Sequence, residues 1–204
     1  WHSFPTRRSS DLKSIKQGAI KEHLASILEK EGLTFDDEAL TIIARRAEGG
    51  MRDALSILDQ ALSLSPDNHV SQAVAEEITG SIGLTALDSF VANVRNQDTT
   101  QALSNLETLF DNGKSMSRFA TDLLEYFRDL LIVKAGGENS HHSPLFEENL
   151  SLEQDRLFQL IDLVTSALPE IKTGTHPKIY AEMLTIKLSE THSQMSQEIP
   201  ENLQ

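Results

Sequence analysis

The strongest candidate for chemistry in this sequence is an arginine that follows a glycine pair. Gly49 and Gly50 end one helical pattern, and Arg52 stands in the first turn of the next. A cation at a helix N-terminus is unfavourable by about 0.3–1 kcal/mol, so stability alone would favour Asp or Glu there. A guanidinium beside free backbone N–H groups suits a phosphate supplied from outside the bundle. Arg52 is therefore either a phosphate ligand or a solvent-facing arginine paired with Asp53 or Glu48, and spacing alone leaves both open.

Other patterns that could carry chemistry are weak. Gly113-Lys114-Ser115 ends like a phosphate loop, but Thr108 stands where G-x-x-x-x-G-K-[ST] needs its first glycine, and no strand precedes it. The seven histidines are scattered apart from His141-His142, and adjacent residues do not converge on one metal. A G-x-S-x-G elbow is absent, and zero cysteines exclude thiolate, disulfide and iron–sulfur chemistry. We predict no catalytic residue and no metal site.

Composition places the chain among globular proteins. It has 204 residues, of which 39% are hydrophobic and only six are proline, which argues against a disordered or collagenous class. The sequence has no apolar run near the roughly 20 residues that span a bilayer, and its N-terminus lacks a signal peptide. We expect a cytoplasmic protein that does not contact membranes.

The charge is acidic and unevenly distributed. The chain carries 18 basic and 31 acidic side chains, a formal charge of −13. Residues 13–67 have a net charge of −3, and residues 68–204 have a net charge of −11. Because nucleic-acid affinity comes mainly from phosphate neutralisation by Lys and Arg, we expect no direct DNA contact. A solvated acidic surface is a better interpretation than a dedicated site for a basic partner.

The elements that must position Arg52 are helices, because apolar residues recur with helical spacing and no sustained alternation competes. The fold class we predict is all-α, with a three-helix bundle over residues 13–67 and a domain of about five helices over 68–192. Residues 136–149 are expected to form a mobile surface loop. Residues 1–12 look like a foreign, scar-like segment, and residues 193–204 like a disordered tail.

Four separated segments resemble one family. Glu48–Leu64, EGGMRDALSILDQALSL, is similar to the sensor 2 helix in the lid of the gamma/tau subunit of bacterial DNA polymerase III, an AAA+ clamp-loader ATPase. Glu77–Gly80 looks like the start of that family's third domain. Asp111–Gly136 looks like the long helix of its collar, and His176–Glu190 like the final collar helix of Gram-positive relatives. The family's Arg-Phe-Asp-Phe before the lid is replaced here by SSDL at residues 9–12.

The resemblance implies a division of roles. The lid would sense ATP bound by an ATPase domain that this chain lacks, with Arg52 as the sensor 2 arginine near the γ-phosphate, and a linker at 65–72 would pass the lid's rotation to the collar. ATP and Mg²⁺ would be cofactors of the full-length protein only. Partners would be other gamma/tau copies, delta and delta-prime, with the sliding clamp and primed DNA reached only through missing parts. The chain itself has no complete active site, although the family is a clamp-loader ATPase within DNA-directed DNA polymerase III.

The collar is expected to hold subunits together. The helix near residues 115–135 has more apolar surface than a solitary surface helix needs. The residues we predict for an interface on this helix are Phe119, Leu123, Tyr126, Phe127 and Leu130; the alternative is that they pack in the domain's own core. The competing function for the whole chain is a structural α-helical adaptor in which Arg52 has no nucleotide role.

Overall fold

The computed structural model describes residues 14–139, 141 and 143–190. The predicted scar-like segment, residues 1–12, and the predicted tail, residues 193–204, lie outside the described residues. The chain divides into two compact units, one ending at Ser81 and the other beginning at Ile82. The prediction of an all-α fold is confirmed, and none of the described helices has the length and apolarity that a membrane span requires.

The first unit is a helical bundle with one very short strand pair. Its elements, in chain order, are α1 (Gln17–Lys30), β1 (Thr34–Phe35), α2 (Asp37–Arg46), α3 (Met51–Ser63), β2 (His69–Val70) and α4 (Gln72–Thr79). The apolar residues of α1 recur at i, i+4 and i+8, so Ile20, Leu24 and Leu28 share one face and are fully buried. They pack with Leu40 and Ile43 of α2.

A hydrogen-bonded clasp fastens β2 and α4 to the rest of the first unit. The strands β1 and β2 pair in parallel. Beside them, Thr34 Oγ1 lies 2.8 Å from His69 Nδ1, and His69 Nε2 lies 3.1 Å from Asp36 Oδ1. The other carboxylate oxygen of Asp36 accepts a 2.8 Å hydrogen bond from the Gln72 backbone N–H at the start of α4.

The clasp accounts for the extension of the first compact unit to Ser81, past the predicted boundary at residues 67 and 68. Val70 of β2 and Ala75 of α4 are fully buried in the core of the first unit, because the apolar face of α4 packs on α2. The Ser65–Asn68 turn, at the end of the predicted three-helix bundle, therefore lies inside this compact unit. Residues 65–72, expected to act as a linker, are attached to the bundle.

The described residues of the second unit form six helices, in line with the predicted helical domain. They are α5 (Leu84–Arg95), α6 (Thr99–Asp111), α7 (Met116–Lys134), α8 (Pro144–Asn149), α9 (Gln154–Thr173) and α10 (Pro177–Ser189). The long helix α7 packs against α9, and α10 packs against both α9 and α6. Phe90 of α5 and Phe119 of α7 meet edge to face in this core, with ring centroids 4.9 Å apart.

The short helix α8 lies in the segment that we expected to be a mobile loop. The Ser143 side chain accepts a hydrogen bond from the Phe146 N–H, and Pro144 occupies the first turn, so the helix has a normal start signal. Phe146 is fully buried, and the His141 ring stacks on it at 4.4 Å. Burial of these two rings attaches part of the expected loop to the core.

A buried polar network joins three helices of the second unit. The Tyr126 hydroxyl donates a 2.5 Å hydrogen bond to Asp88 Oδ1. The Asn149 side-chain amide donates to the Tyr126 oxygen at 2.9 Å and to the Asp88 backbone carbonyl at 3.2 Å. All three residues are at most 2% exposed, so the bonds compensate polar groups that have no access to water.

Candidate functional site

The turn before α3 places Arg52 through an unusual backbone. Glu48 and Gly49 both have positive φ, 49° and 86°. The Gly50 N–H donates a 2.8 Å hydrogen bond to the Ala47 carbonyl, which closes the turn. A non-glycine residue in this conformation is uncommon and costs free energy, so Glu48 marks local strain next to the candidate site.

Arg52 is exposed in the first turn of α3. The residue at the N-cap, Gly50, offers no side chain to the first N–H groups of the helix. Within the part of the chain that the structure describes, the guanidinium has no carboxylate in ion-pair contact. The pairing with Asp53 or Glu48 that the sequence left open is therefore not formed, and the guanidinium is accessible from solvent.

An open pocket beside this turn is poorly suited to an anion. It lies between the end of α2 and the start of α3, and its lining residues are Arg46, Glu48, Asp53, Ser56 and Ile57. Two carboxylates against one guanidinium give the pocket a net negative charge. Arg52 is not among the residues that line this pocket.

The remaining candidates from the sequence are the run at residues 113–115 and a metal site. Gly113 has φ 76° at the end of α6, and the Lys114 N–H donates to the Leu109 carbonyl. Ser115 caps α7 through the Arg118 N–H, so this run forms a helix-to-helix turn. Among the described residues, no group of three His, Asp or Glu side chains is placed to hold a metal ion.

The five residues predicted for an interface lie inside the second unit. Their exposed fractions are 0–2%, and all belong to its hydrophobic core: Phe119, Leu123, Tyr126, Phe127 and Leu130. The reason is that α7 is covered within the unit, chiefly by α9. The wide apolar face of α7 is therefore explained by packing within the chain, which was the alternative in the sequence analysis.

An exposed apolar stripe occurs instead on α10. Ile179, Met183 and Ile186 are 51%, 48% and 37% exposed, and their spacing of i, i+4 and i+7 puts them on one face. The opposite face buries Ala181, Leu184 and Leu188. A helix that is apolar on both faces is normally buried on both. The sequence could have indicated this stripe, because apolar residues occur on both faces of the helix.

Two family models match the chain. Residues 19–67 match the DNA polymerase III clamp loader subunit, ATPase lid domain, and residues 70–200 match DNA polymerase III subunits gamma and tau domain III. These matches, which meet between residues 67 and 70, define a lid and a collar of the clamp-loader class. The chain belongs to the family of DNA polymerase III gamma and tau subunits, which confirms the prediction made from its motifs.

Curated relatives agree with this family. The chain is 32% identical to DNA polymerase III subunit tau of Bacillus subtilis over 199 residues, which cover 94% of this chain and 35% of the relative. It is 29% identical to the gamma/tau subunit of Mycobacterium tuberculosis, over 81% of this chain and 30% of the relative. The chain thus spans about a third of the length of these relatives. Among solved structures, Bacillus subtilis DNA clamp loader delta protein (YqeN) matches with a TM-score of 0.47 and 13% identity, over 87% of this chain and 57% of that chain.

Proposed function

We propose that the first unit senses ATP bound by an upstream ATPase domain and that the second unit assembles the clamp-loader complex. The observation that carries the first half is the exposed, unpaired Arg52 at the uncapped start of α3. ATP would supply the phosphate, and Mg²⁺ would be held by residues outside this chain. The proposal places the protein in the cytoplasm, with other gamma/tau copies, delta and delta-prime as partners, and with the sliding clamp and primed DNA reached through other parts.

The physical argument for phosphate binding by Arg52 rests on the free-energy cost of a cation at this position. A cation at a helix N-terminus is disfavoured, and Arg52 gains no ion pair from the described residues to offset this. An arriving phosphate would remove that penalty and receive a charge-assisted hydrogen bond. Within the complex, the arginine would bind and orient the phosphate, and the remainder of the nucleotide would contact the upstream domain.

The test of this role uses the chain joined to an upstream family ATPase domain. We expect Arg52→Ala to weaken ATP binding by about ten- to a hundred-fold, because a charge-assisted hydrogen bond contributes about 1.5–3 kcal/mol. Arg128→Ala is the matched control, since Arg128 is also an exposed arginine but belongs to α7 of the second unit. Calorimetric ATP titration measures both. An unchanged affinity in Arg52→Ala would favour the structural-adaptor alternative.

The assembly role is supported by the stripe on α10. Three large apolar side chains on one face are exposed to water, which is unfavourable. Their burial against an apolar helix of another subunit would stabilise the complex by about 25 cal/mol for each Å² of apolar surface removed from water. Lys178 aligns the helix, because its Nζ lies 2.8 Å from Glu107 of α6 and 4.4 Å from the centre of the Phe110 ring. The stripe is thus carried by a helix that is fixed within its own unit.

A charge placed in the stripe tests assembly. We expect Met183→Glu to weaken association with clamp-loader subunits at least tenfold while leaving the melting temperature unchanged, because Met183 is about half exposed. Gln159→Glu, on the exposed side of α9, adds the same charge outside the stripe. Sedimentation over a concentration series distinguishes the two. Equal association of both variants would remove the stripe from the interface.

A further inference from the structure

Gly49 lies where two segments of the first unit cross. The backbone N–H of Ile15 donates a 3.1 Å hydrogen bond to the Gly49 carbonyl, so residues 14 and 15 pass directly over the turn between α2 and α3. A Cβ on Gly49 would overlap the Ser14 hydroxyl and would lie 2.9 Å from Ser14 Cβ and 3.2 Å from Ser14 Cα. Rotation of the serine side chain cannot relieve the last contact, because Cα belongs to the backbone.

Two independent restrictions therefore exclude a side chain at Gly49. One is the space taken by Ser14, and the other is the φ of 86°, which L-residues rarely adopt. Both restrictions are weaker at Gly50. Its φ is −94°, and a Cβ there would meet chiefly the flexible carboxylate of Asp53 at 2.9 Å, with the Ala47 carbonyl at 3.2 Å.

The crossing lies immediately before the candidate arginine. Gly49 is three residues before Arg52, and the intervening residues are Gly50 and the first residue of α3. The strained turn has Glu48 in the left-handed region as well, and strained backbone persists only where the surroundings hold it in place. Since the turn also receives the Ile15 hydrogen bond, the path of the incoming chain and the start of α3 are fixed together.

We propose that Gly49 is a positioning residue that couples the direction of the chain entering the lid to the position of Arg52. This inference rests on the proposed function, in which the nucleotide is bound by a domain upstream of Ser14. Any rotation of that domain would be transmitted through residues 14 and 15 to the turn, and so to the arginine. The absence of a side chain at Gly49 allows the two segments to touch, backbone to backbone.

The first arm of the test measures the crossing in this chain alone. Gly49→Ala is expected to abolish hydrogen-exchange protection of the Ile15 amide, because the added Cβ separates the two segments. Gly50→Ala is the matched control and is expected to retain that protection. Adding Ser14→Gly to Gly49→Ala removes the hydroxyl and Cβ overlaps and is expected to restore part of the protection. Equal protection in Gly49→Ala and Gly50→Ala would overturn the inference.

The second arm measures coupling to Arg52 in the chain extended by its ATPase domain. Gly49→Ala is expected to weaken ATP binding by about fivefold or more, and by no more than Arg52→Ala does. In an Arg52→Ala background the same change is expected to alter the affinity less than twofold, because a residue that acts through Arg52 has no effect in its absence. Additive effects would overturn the inference.

The outcomes separate the two claims. If Arg52→Ala leaves ATP affinity unchanged, the proposed function fails. If Arg52→Ala weakens binding and Gly49→Ala does not, only the positioning role fails. Should Gly49→Ala not fold, Ser14→Leu displaces the incoming chain from the other side and leaves the φ of the turn unchanged. That variant is expected to show the same dependence on Arg52, and independence from Arg52 would contradict the inference.

Discussion

His141 Nε2 lies 2.7 Å from Oδ2 of Asp129, and their side chains are only 6% and 12% exposed. Asp129 belongs to α7, while His141 precedes α8, so this contact connects a residue outside the regular elements to one of the two long helices of the second unit. The His141 backbone N–H also donates to the Asn139 side chain at 2.9 Å. The stacking of the imidazole on Phe146 makes the pair part of the packing that holds α8.

Removal of the histidine is expected to raise the pKa of Asp129. Burial by itself raises this pKa, but hydrogen bonds from His141 and Arg128 and the charge of Arg128 lower it, and the net result lies below the usual value. His141→Phe removes one of these bonds and retains a ring to stack on Phe146. Carbon NMR titration of the carboxyl group measures the shift. His23→Phe, exposed on α1, is the control and should leave it unchanged.

The same pair predicts how acid affects the second unit. Because the native pKa of Asp129 is lowered, its contribution to stability is fully present above the ordinary value of 3.8 and is lost as pH falls through the native pKa. In His141→Phe the native pKa of Asp129 should lie closer to the ordinary value, so less stability should be lost as the pH falls. Urea unfolding at successive pH values measures this, and identical pH profiles for the two proteins would contradict the assignment.

Loss of the Tyr126 hydroxyl is expected to destabilise the second unit. Tyr126→Phe removes the hydroxyl's buried hydrogen bonds to the Asp88 carboxylate and from the Asn149 amide, at a cost of about 1–3 kcal/mol in the free energy of unfolding. Tyr180→Phe is the control, because Tyr180 is half-buried and its hydroxyl makes no hydrogen bond with the described residues. Urea denaturation compares them, and equal stabilities would mean that the network contributes little.

Truncation of a buried side chain on α7 should lower the stability of the second unit rather than act only on assembly. Phe127→Ala is expected to cost about 3–5 kcal/mol, because it opens a cavity in a fully buried position. Phe158→Ala should cost much less, since Phe158 is 50% exposed. Thermal unfolding measures both. A folded Phe127→Ala variant with wild-type stability and no association would restore the interface first predicted for α7.

The clasp on α4 makes a prediction for two adjacent aspartates. Asp36→Ala is expected to destabilise the first unit by about 1 kcal/mol and to increase exchange of the Gln72 amide, because that N–H loses its acceptor. Asp37→Ala breaks only an ion pair with Lys21 in which the carboxylate is 74% exposed, so its cost should be smaller. Equal exchange at Gln72 in both variants would argue against the clasp.

Local sequence patterns were sufficient for the long helices and for the residue at the start of α3. A helix that buries one face has apolar residues at intervals of three and four positions. The helices α1, α7 and α9 show this spacing and could therefore be predicted from the sequence. The glycine pair and Arg52 are local features, and the motif around them identified the family. The burial of the α7 side chains was not determined this way, because an apolar face has the same pattern whether its neighbour lies in the same chain or another.

The tertiary structure decided which elements cover one another. The helix α8 has only six residues, too few for a periodic signal, and it is held by contacts of Phe146 and Asn149 with distant helices. The membership of α4 in the first unit depends on Asp36, which is distant in sequence from Gln72. The crossing of Ser14 over Gly49 likewise joins residues 35 positions apart. Such contacts depend on how packed elements meet in space, whereas the sequence by itself determined the local periodicity, the turn residues and the charge.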